Sequence, residues 1–157
     1  METTCYKLRS LIIDAIEKQL VSDRPLCTLL SGGLDSSIIT AVASNHYNKL
    51  GRKLDTFSVD YVDNDKNFVK SNFQPNSDEY FIDLMVKEFD TNHKKIILDT
   101  PELYDKLKDA VIARDFPGMA DVDSSYLLFF EGVSKEEKVA LSGECSDEIF
   151  RWLSMVF

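Results

Sequence analysis

The sequence has no CxxC pair, and its three cysteines, Cys5, Cys27 and Cys145, lie far apart. An odd, scattered set provides neither a disulfide framework nor a zinc site, and it suits a reducing cytosol. The two histidines, His46 and His93, have no partner at ligand spacing and are read as ordinary core or surface residues. No apolar run approaches the length of a membrane span, so no membrane association is expected. Met1 to Tyr6 shows no basic stretch followed by an apolar one, which argues against a secretory signal. Positive charge is also in deficit: the net charge is −9, with acidic residues spread along the chain. Such a surface gains no counterion-release affinity for phosphate backbones, which argues against nucleic acid as the main partner. There is no repeat and no low-complexity tract.

What remains is a chain of 157 residues, enough for one domain with a real core. Its 44% apolar and 29% charged residues place it with soluble globular proteins, expected in the cytoplasm. Leu8, Leu11, Ile12, Ala15, Ile16 and Leu20 recur at helical spacing and predict an amphipathic helix over Thr4–Leu20, stopped by Ser22-Asp23-Arg24-Pro25. The short apolar run Leu26–Leu30 predicts a buried strand. A helix over Ser36–Tyr47 and a strand over Leu54–Asp60 follow. Tyr61–Asn76 is rich in Asp, Asn and Lys and reads as a long mobile loop of the lid type. Asn76 and Glu79 suggest a capping box for a helix with Phe81, Leu84, Met85 and Phe89 on its apolar face. Lys95–Leu98 is a third strand. Thr100-Pro101 reads as a cap for a helix carrying Leu103, Leu107, Ala110 and Val111, broken at Phe116-Pro117-Gly118. Ser124–Val133 is a helix and Lys138–Leu141 a fourth strand.

This alternation predicts an α/β fold, a parallel sheet with helices on both faces. Ligands on such sheets sit beyond the C-terminal ends of the strands. Two Ser-Gly turns, at Ser31 and at Ser142, fall at such ends. A sheet order of 3-2-1-4 would bring them together.

The first turn is Ser31-Gly32-Gly33-Leu34-Asp35-Ser36-Ser37. Gly32 and Gly33 let the backbone turn sharply and approach a bulky anion. The next helix, starting near Asp35, directs free N–H groups and its positive dipole end at that anion. Ser31, Ser36 and Ser37 add hydroxyl donors. Asp35 would repel phosphate unless a cation intervenes, so it reads as a Mg²⁺ ligand. The chain contains no GxxxxGK[ST] and no GxGxxG, so neither of those phosphate sites competes. The second turn, Ser142-Gly143-Glu144-Cys145-Ser146-Asp147-Glu148, places carboxylates at another helix start. Taken alone they complement the helix dipole equally well. Paired with the first turn, Asp147 reads as a second metal ligand and Glu144 as a proton-handling or positioning group. Cys145 is read as a small buried filler, and Phe129-Phe130 as packing.

These motifs resemble the synthetase domain of the asparagine synthetases, members of the PP-loop (adenine nucleotide alpha hydrolase-like) ATP pyrophosphatases. SGGLDSS matches that family's pyrophosphate loop, and Leu141–Phe150 (LSGECSDEIF) resembles its second motif, SGExxDE[LIV]F. Phe57-Ser58-Val59 matches its adenine strand, and Val21-Ser22-Asp23-Arg24-Pro25 the lead-in to the first strand. The resemblance implies ATP and Mg²⁺ as ligands. It implies adenylation of the side-chain carboxylate of aspartate, then attack by ammonia to give asparagine and AMP. It assigns pyrophosphate and Mg²⁺ to Ser31, Gly32, Gly33, Asp35 and Ser36, and nucleoside contacts to Leu30, Val59 and Gly143, with Ser142 beside them. It assigns the ammonia step to Glu144 and metal to Asp147. Asp121, Asp123 and Ser124 occupy the region of the acceptor contacts, although a capped helix start explains them as well.

The sequence also departs from the family. Residue 2 is Glu where the family's glutaminase domain opens with Cys, and Arg151-Trp152-Leu153 stands where Gly-Gly-Tyr is usual. Residues 1–157 are therefore expected to be a single truncated ATP-binding domain, lacking the N-terminal glutaminase domain and the C-terminal helical part. Ammonia would come from a glutaminase domain or partner, a homodimer is compatible, and the isolated chain is expected to be inactive. Two alternatives stand: a non-catalytic ATP-binding fragment, and another PP-loop amidotransferase or synthetase with a different acceptor. A tRNA thiolase would be expected to carry paired cysteines and a basic surface.

Overall fold

The structure is a computed structural model and describes residues 2–67 and 77–146. Helix α1 (Glu2–Gln19) leads into strand β1 (Leu26–Leu29), which turns into α2 (Leu34–Lys49). Strand β2 (Asp55–Tyr61), the short α3 (Asn64–Asn67), α4 (Glu79–Phe89) and β3 (Asn92–Leu98) follow. Helices α5 (Thr100–Asp105), α6 (Leu107–Arg114) and α7 (Ala120–Ser134) precede β4 (Val139–Leu141). The sheet order is β3-β2-β1-β4, as predicted, and every pair is parallel.

Alternation along β1 divides the core. Leu26 joins Leu20, Ala43, Tyr47 and Leu54 on the face covered by α1 and α2. Cys27 points the other way, against Phe57, Phe129 and Val133 beneath α7. Helix α4 packs on α2, while α5 and α6 pack on α7, so helices cover both faces. The α2 face carries a polar layer. Thr28 Oγ1 lies 2.9 Å from Thr40 Oγ1. Thr56 Oγ1 lies 3.1 Å from Thr91 Oγ1 and 2.9 Å from His93 Nδ1, and Ser58 Oγ lies 3.1 Å from His93 Nε2. Burial, and next the nearby Lys95, hold the imidazole below its ordinary pKa, so it is neutral between its two hydroxyl partners.

Several local expectations are corrected. The cap of α5 is Asp99, not Thr100, and Asp99 and Glu102 form a full capping box. The helix expected from Thr100 is two helices, separated at Lys106. Helix α4 starts at Glu79, so Glu79 does not occupy the third helical position that a capping box needs; Asn76 lies outside the described residues. Its buried residue is Ile82, while Phe81 and Leu84 are exposed. The stretch read as one long loop begins with the end of β2 and contains α3; residues 68–76 lie outside the described residues. Among the described residues, no helix is long and apolar enough to cross a membrane.

At the N-terminal end of the sheet, Glu137 is 7% exposed and its Oε2 has no hydrogen-bond partner among the described residues. Burial raises its carboxyl pKa first, and the Asp55 carboxyl raises it further, while Lys94 and Arg52 pull the other way. The buried Cys27 thiol is pushed up to about 12 by burial, then by Glu137 and Asp55. A carboxyl with a raised folded pKa stabilises the fold below its unfolded value and loses that contribution as pH rises through the folded value. Glu137→Gln should therefore be more stable than the parent at neutral pH, and this advantage should shrink towards pH 4. Urea unfolding at several pH values checks this; an advantage independent of pH would contradict it.

Candidate functional site

The first turn begins where β1 ends. Leu30 N–H donates to Phe57 O at 2.8 Å, so the chain stays bound to β2 until the loop starts. Gly32 has φ +83, and a Cβ there would lie 2.8 Å from the Asp78 carbonyl oxygen. A side chain is thus excluded both by conformation and by the approach of α4. Gly33 is the N-cap of α2, without a side-chain cap, so the first-turn N–H groups have no cap to satisfy them. Ser36 is buried and braces the loop. Its hydroxyl donates to Gly33 O at 3.1 Å and accepts from Ser31 N at 3.2 Å, with Ser31 Oγ 3.0 Å away. The Ser36 hydroxyl, read from sequence as an anion donor, here holds the shape of the loop.

The second turn leaves β4 at the same end of the sheet. A Cβ on Gly143 would lie 3.0 Å from both Asp35 Cβ and Ser36 N, so the two turns touch. Ser142 Oγ accepts from Glu144 N–H at 3.2 Å, and Ser146 Oγ donates to Gly143 O at 2.7 Å. Cys145, expected to be buried, is exposed and has φ +65. The turn places a left-handed residue at that point.

Between the turns lies a cavity of about 570 Å³. Leu30, Ser31, Gly33, Asp35, Ser36, Val59, Ser142, Gly143 and Glu144 all line it. Gly32 stands just behind the lining, against α4. Asp147 lies outside the described residues. Of the acceptor candidates, Asp123 accepts a hydrogen bond from Arg114, and the buried Ser124 donates to Ala120 O at 2.8 Å; neither lines the cavity. Both belong to α7, as does Asp121, whose side chain lies outside the description. The lining also includes Ser58 of the adenine-strand match and residues not assigned to the site from sequence: Tyr61, Asp78 and Ile82, and from α7 Val122, Ser125, Tyr126 and Phe129, the last read as packing. The last four recur at i, i+3, i+4 and i+7, the signature of one helix face. Tyr61 Oη lies 2.6 Å from Ser125 Oγ, and Tyr126 Oη donates to Glu144 Oε1.

The cavity is anionic. Its described lining contains Asp35, Asp78 and Glu144 and no Lys or Arg. No group of three or more His, Cys, Asp or Glu among the described residues is arranged to hold a metal unaided. One carboxylate beside a row of N–H groups fits a Mg²⁺ ion that takes its other ligands from phosphates and water. The arrangement can hold a polyphosphate at the turns, and the half-exposed Val59 and buried Leu30 offer an apolar edge beside it.

Residues 7–152 match the family model described as asparagine synthase. The chain is 52% identical to asparagine synthetase [glutamine-hydrolyzing] 3 of Bacillus subtilis, over 95% of this chain and 24% of that protein. It is 30% identical to asparagine synthetase [glutamine-hydrolyzing] of Zea mays, over 91% of this chain and 24% of that protein. The chain thus spans about a quarter of the length of these relatives. A solved structure of a predicted subunit of tRNA methyltransferase from Methanocaldococcus jannaschii is 20% identical, covering 78% of this chain and 53% of that one, at a TM-score of 0.41, too loose to bear on function. With the family model matched from residue 7 to residue 152, across both turns and the sheet between them, this chain belongs to the asparagine synthase family.

Proposed function

We propose that this chain is the ATP site of an amide-forming ligase that adenylates the side-chain carboxylate of aspartate, releases pyrophosphate, and passes the acyl group to ammonia. The observation that carries this reading is the contact between Gly143 and the Asp35–Ser36 backbone, which joins the two turns around one cavity. The N–H groups of Leu34 and Asp35 would hold the β- and γ-phosphates. Val59 and Leu30 would flank the nucleoside. Asp35 would hold Mg²⁺, with Asp147 as the second ligand; when bound, the ion neutralises phosphate charge and favours departure of pyrophosphate. A carboxylate is a poor electrophile, and replacing its oxygen with an AMP ester supplies a good leaving group. Glu144 would then accept the proton released when ammonia attacks. The acceptor assignment moves one residue along α7, from Ser124 to Ser125, because Ser125 reaches the cavity. Ammonia would come from a glutaminase domain or partner, as the names of the relatives suggest.

Two predictions test the site. Asp35→Asn removes a cation ligand and also a charge that repels phosphate. It should weaken binding of Mg²⁺-pyrophosphate roughly tenfold, about 1.4 kcal/mol, while metal-free pyrophosphate loses less or gains. Calorimetry with and without Mg²⁺ checks this, and equal losses would remove the metal role. Gly143→Ala forces the second turn away from Asp35 and Ser36 by a few tenths of an ångström. It should destabilise the fold by about 1–3 kcal/mol, the usual cost of overpacking, and weaken pyrophosphate binding as well. An alanine variant with parental affinity would show that the contact between the turns does not shape the site.

A further inference from the structure

Glu144 sits on a short turn whose backbone is fixed and whose side chain is long. Its N–H is bonded to Ser142 Oγ, and the next residue adopts a left-handed conformation. These features set the backbone but leave three side-chain torsions free. A carboxylate that must meet an incoming nitrogen needs those torsions held, because small misplacements of a reacting group cost large factors in rate.

Tyr126 supplies the restraint. It reaches Glu144 from α7, where it too lines the cavity, and its hydroxyl donates to Oε1. Its ring is fixed in turn by stacking on Phe130, with centroids 5.8 Å apart and planes 24° apart. The preceding residue, Ser125, is tied to Tyr61 at the end of β2. Two consecutive residues of α7 therefore anchor this helix to two different strand ends. The chemistry of the donor matters too. A lysine or arginine would pair with the carboxylate and neutralise it, whereas a phenol orients it and leaves its negative charge. The bond also pushes the Tyr126 hydroxyl up to about 12, so it stays protonated and remains a donor at any physiological pH.

We propose that Tyr126 is the positioning residue for Glu144: it holds Oε1 and so presents Oε2 to the attacking nitrogen. This rests on the reading of Glu144 given under Proposed function. In that step the ammonia lone pair forms the C–N bond, the C–O bond to AMP breaks, AMP leaves with the electron pair, and the proton shed by nitrogen passes to Oε2.

Tyr126→Phe keeps the ring and its stacking and removes only the hydroxyl. The test uses the full chain with Mg²⁺, ATP, aspartate and excess ammonium. Tyr126→Phe should lower kcat for amide formation about tenfold and leave KM for ATP within about twofold. Aspartate-dependent exchange of pyrophosphate into ATP should be unchanged, and Tyr126→Phe/Glu144→Gln should be no slower than Glu144→Gln alone. In parallel, the chain is labelled with ¹³Cζ-tyrosine, and the Tyr126 signal is identified by its loss in Tyr126→Phe. That signal should shift in Glu144→Gln at neutral pH. An unmoved signal, or losses that multiply in the double variant of an active chain, would overturn the positioning role alone. Amide formation at the parental rate in Glu144→Gln would overturn the reading of Glu144, and the positioning role with it; in a truncated chain that forms no amide, the Tyr126 signal is the deciding measurement.

Discussion

Strand β1 is hydrogen-bonded on both edges, to β2 and to β4, and the site depends on this. Parallel pairing makes all three strands end on the same side. The residues after β1 and β4 must therefore emerge as neighbours, Thr28 opposite Leu141 with the Ser-Gly turns just beyond. Had β4 paired with β3, the two turns would be separated by the width of the sheet. Backbone pairing thus does for the site what no side chain does: it sets the distance between the Ser31–Ser36 loop and the turn that carries Glu144. The glycines then close the gap that remains, since at Gly143 a single Cβ would already crowd Asp35 and Ser36.

The sheet and both turns were legible in the sequence because they rest on local signals. Short apolar runs gave the strands, and Gly-Gly and Ser-Gly after them gave the turns. Their adjacency followed from asking which strand order lets them share a ligand. What was not legible depended on tertiary approach. The cap of α5 moved by one residue because Asp99 competes better than Thr100 for the first N–H groups, a difference of geometry, not of residue class. The buried side of α4 was read from Phe81 and Leu84, yet Ile82 is buried, because α2 and Gly32 approach from that side. The α7 wall had a signal, the spacing of Val122, Ser125, Tyr126 and Phe129. Yet two of these residues are apolar and two polar, so the face looks like neither a core stripe nor a binding stripe until the cavity is seen.

The deficit of positive charge, which argued against nucleic acid, recurs within the cavity. A pocket lined by Asp35, Asp78 and Glu144, with no described Lys or Arg, repels a bare polyphosphate. On the proposed reading, cation and nucleotide would bind together, with helix N-terminal N–H groups supplying the attraction that side chains withhold. On the same reading labour is divided: backbone would hold the phosphate end, while the end where nitrogen would arrive carries side chains that hydrogen-bond to one another, Tyr126 and Glu144.

The polar layer under β2 has a consequence of its own. Thr56, His93 and Ser58 link β2 to β3 through one imidazole bonded at both ring nitrogens. Greasy contacts tolerate a slide of one strand past another; a ring bridged between two fixed hydroxyls does not. A shift by two residues would keep the same faces buried, but it would break both bonds to His93. The layer therefore acts as an index mark, allowing a single alignment of β2 with its neighbour. The height at which Val59 meets the cavity is thus set from the other face of the sheet, by a histidine that does not line the cavity.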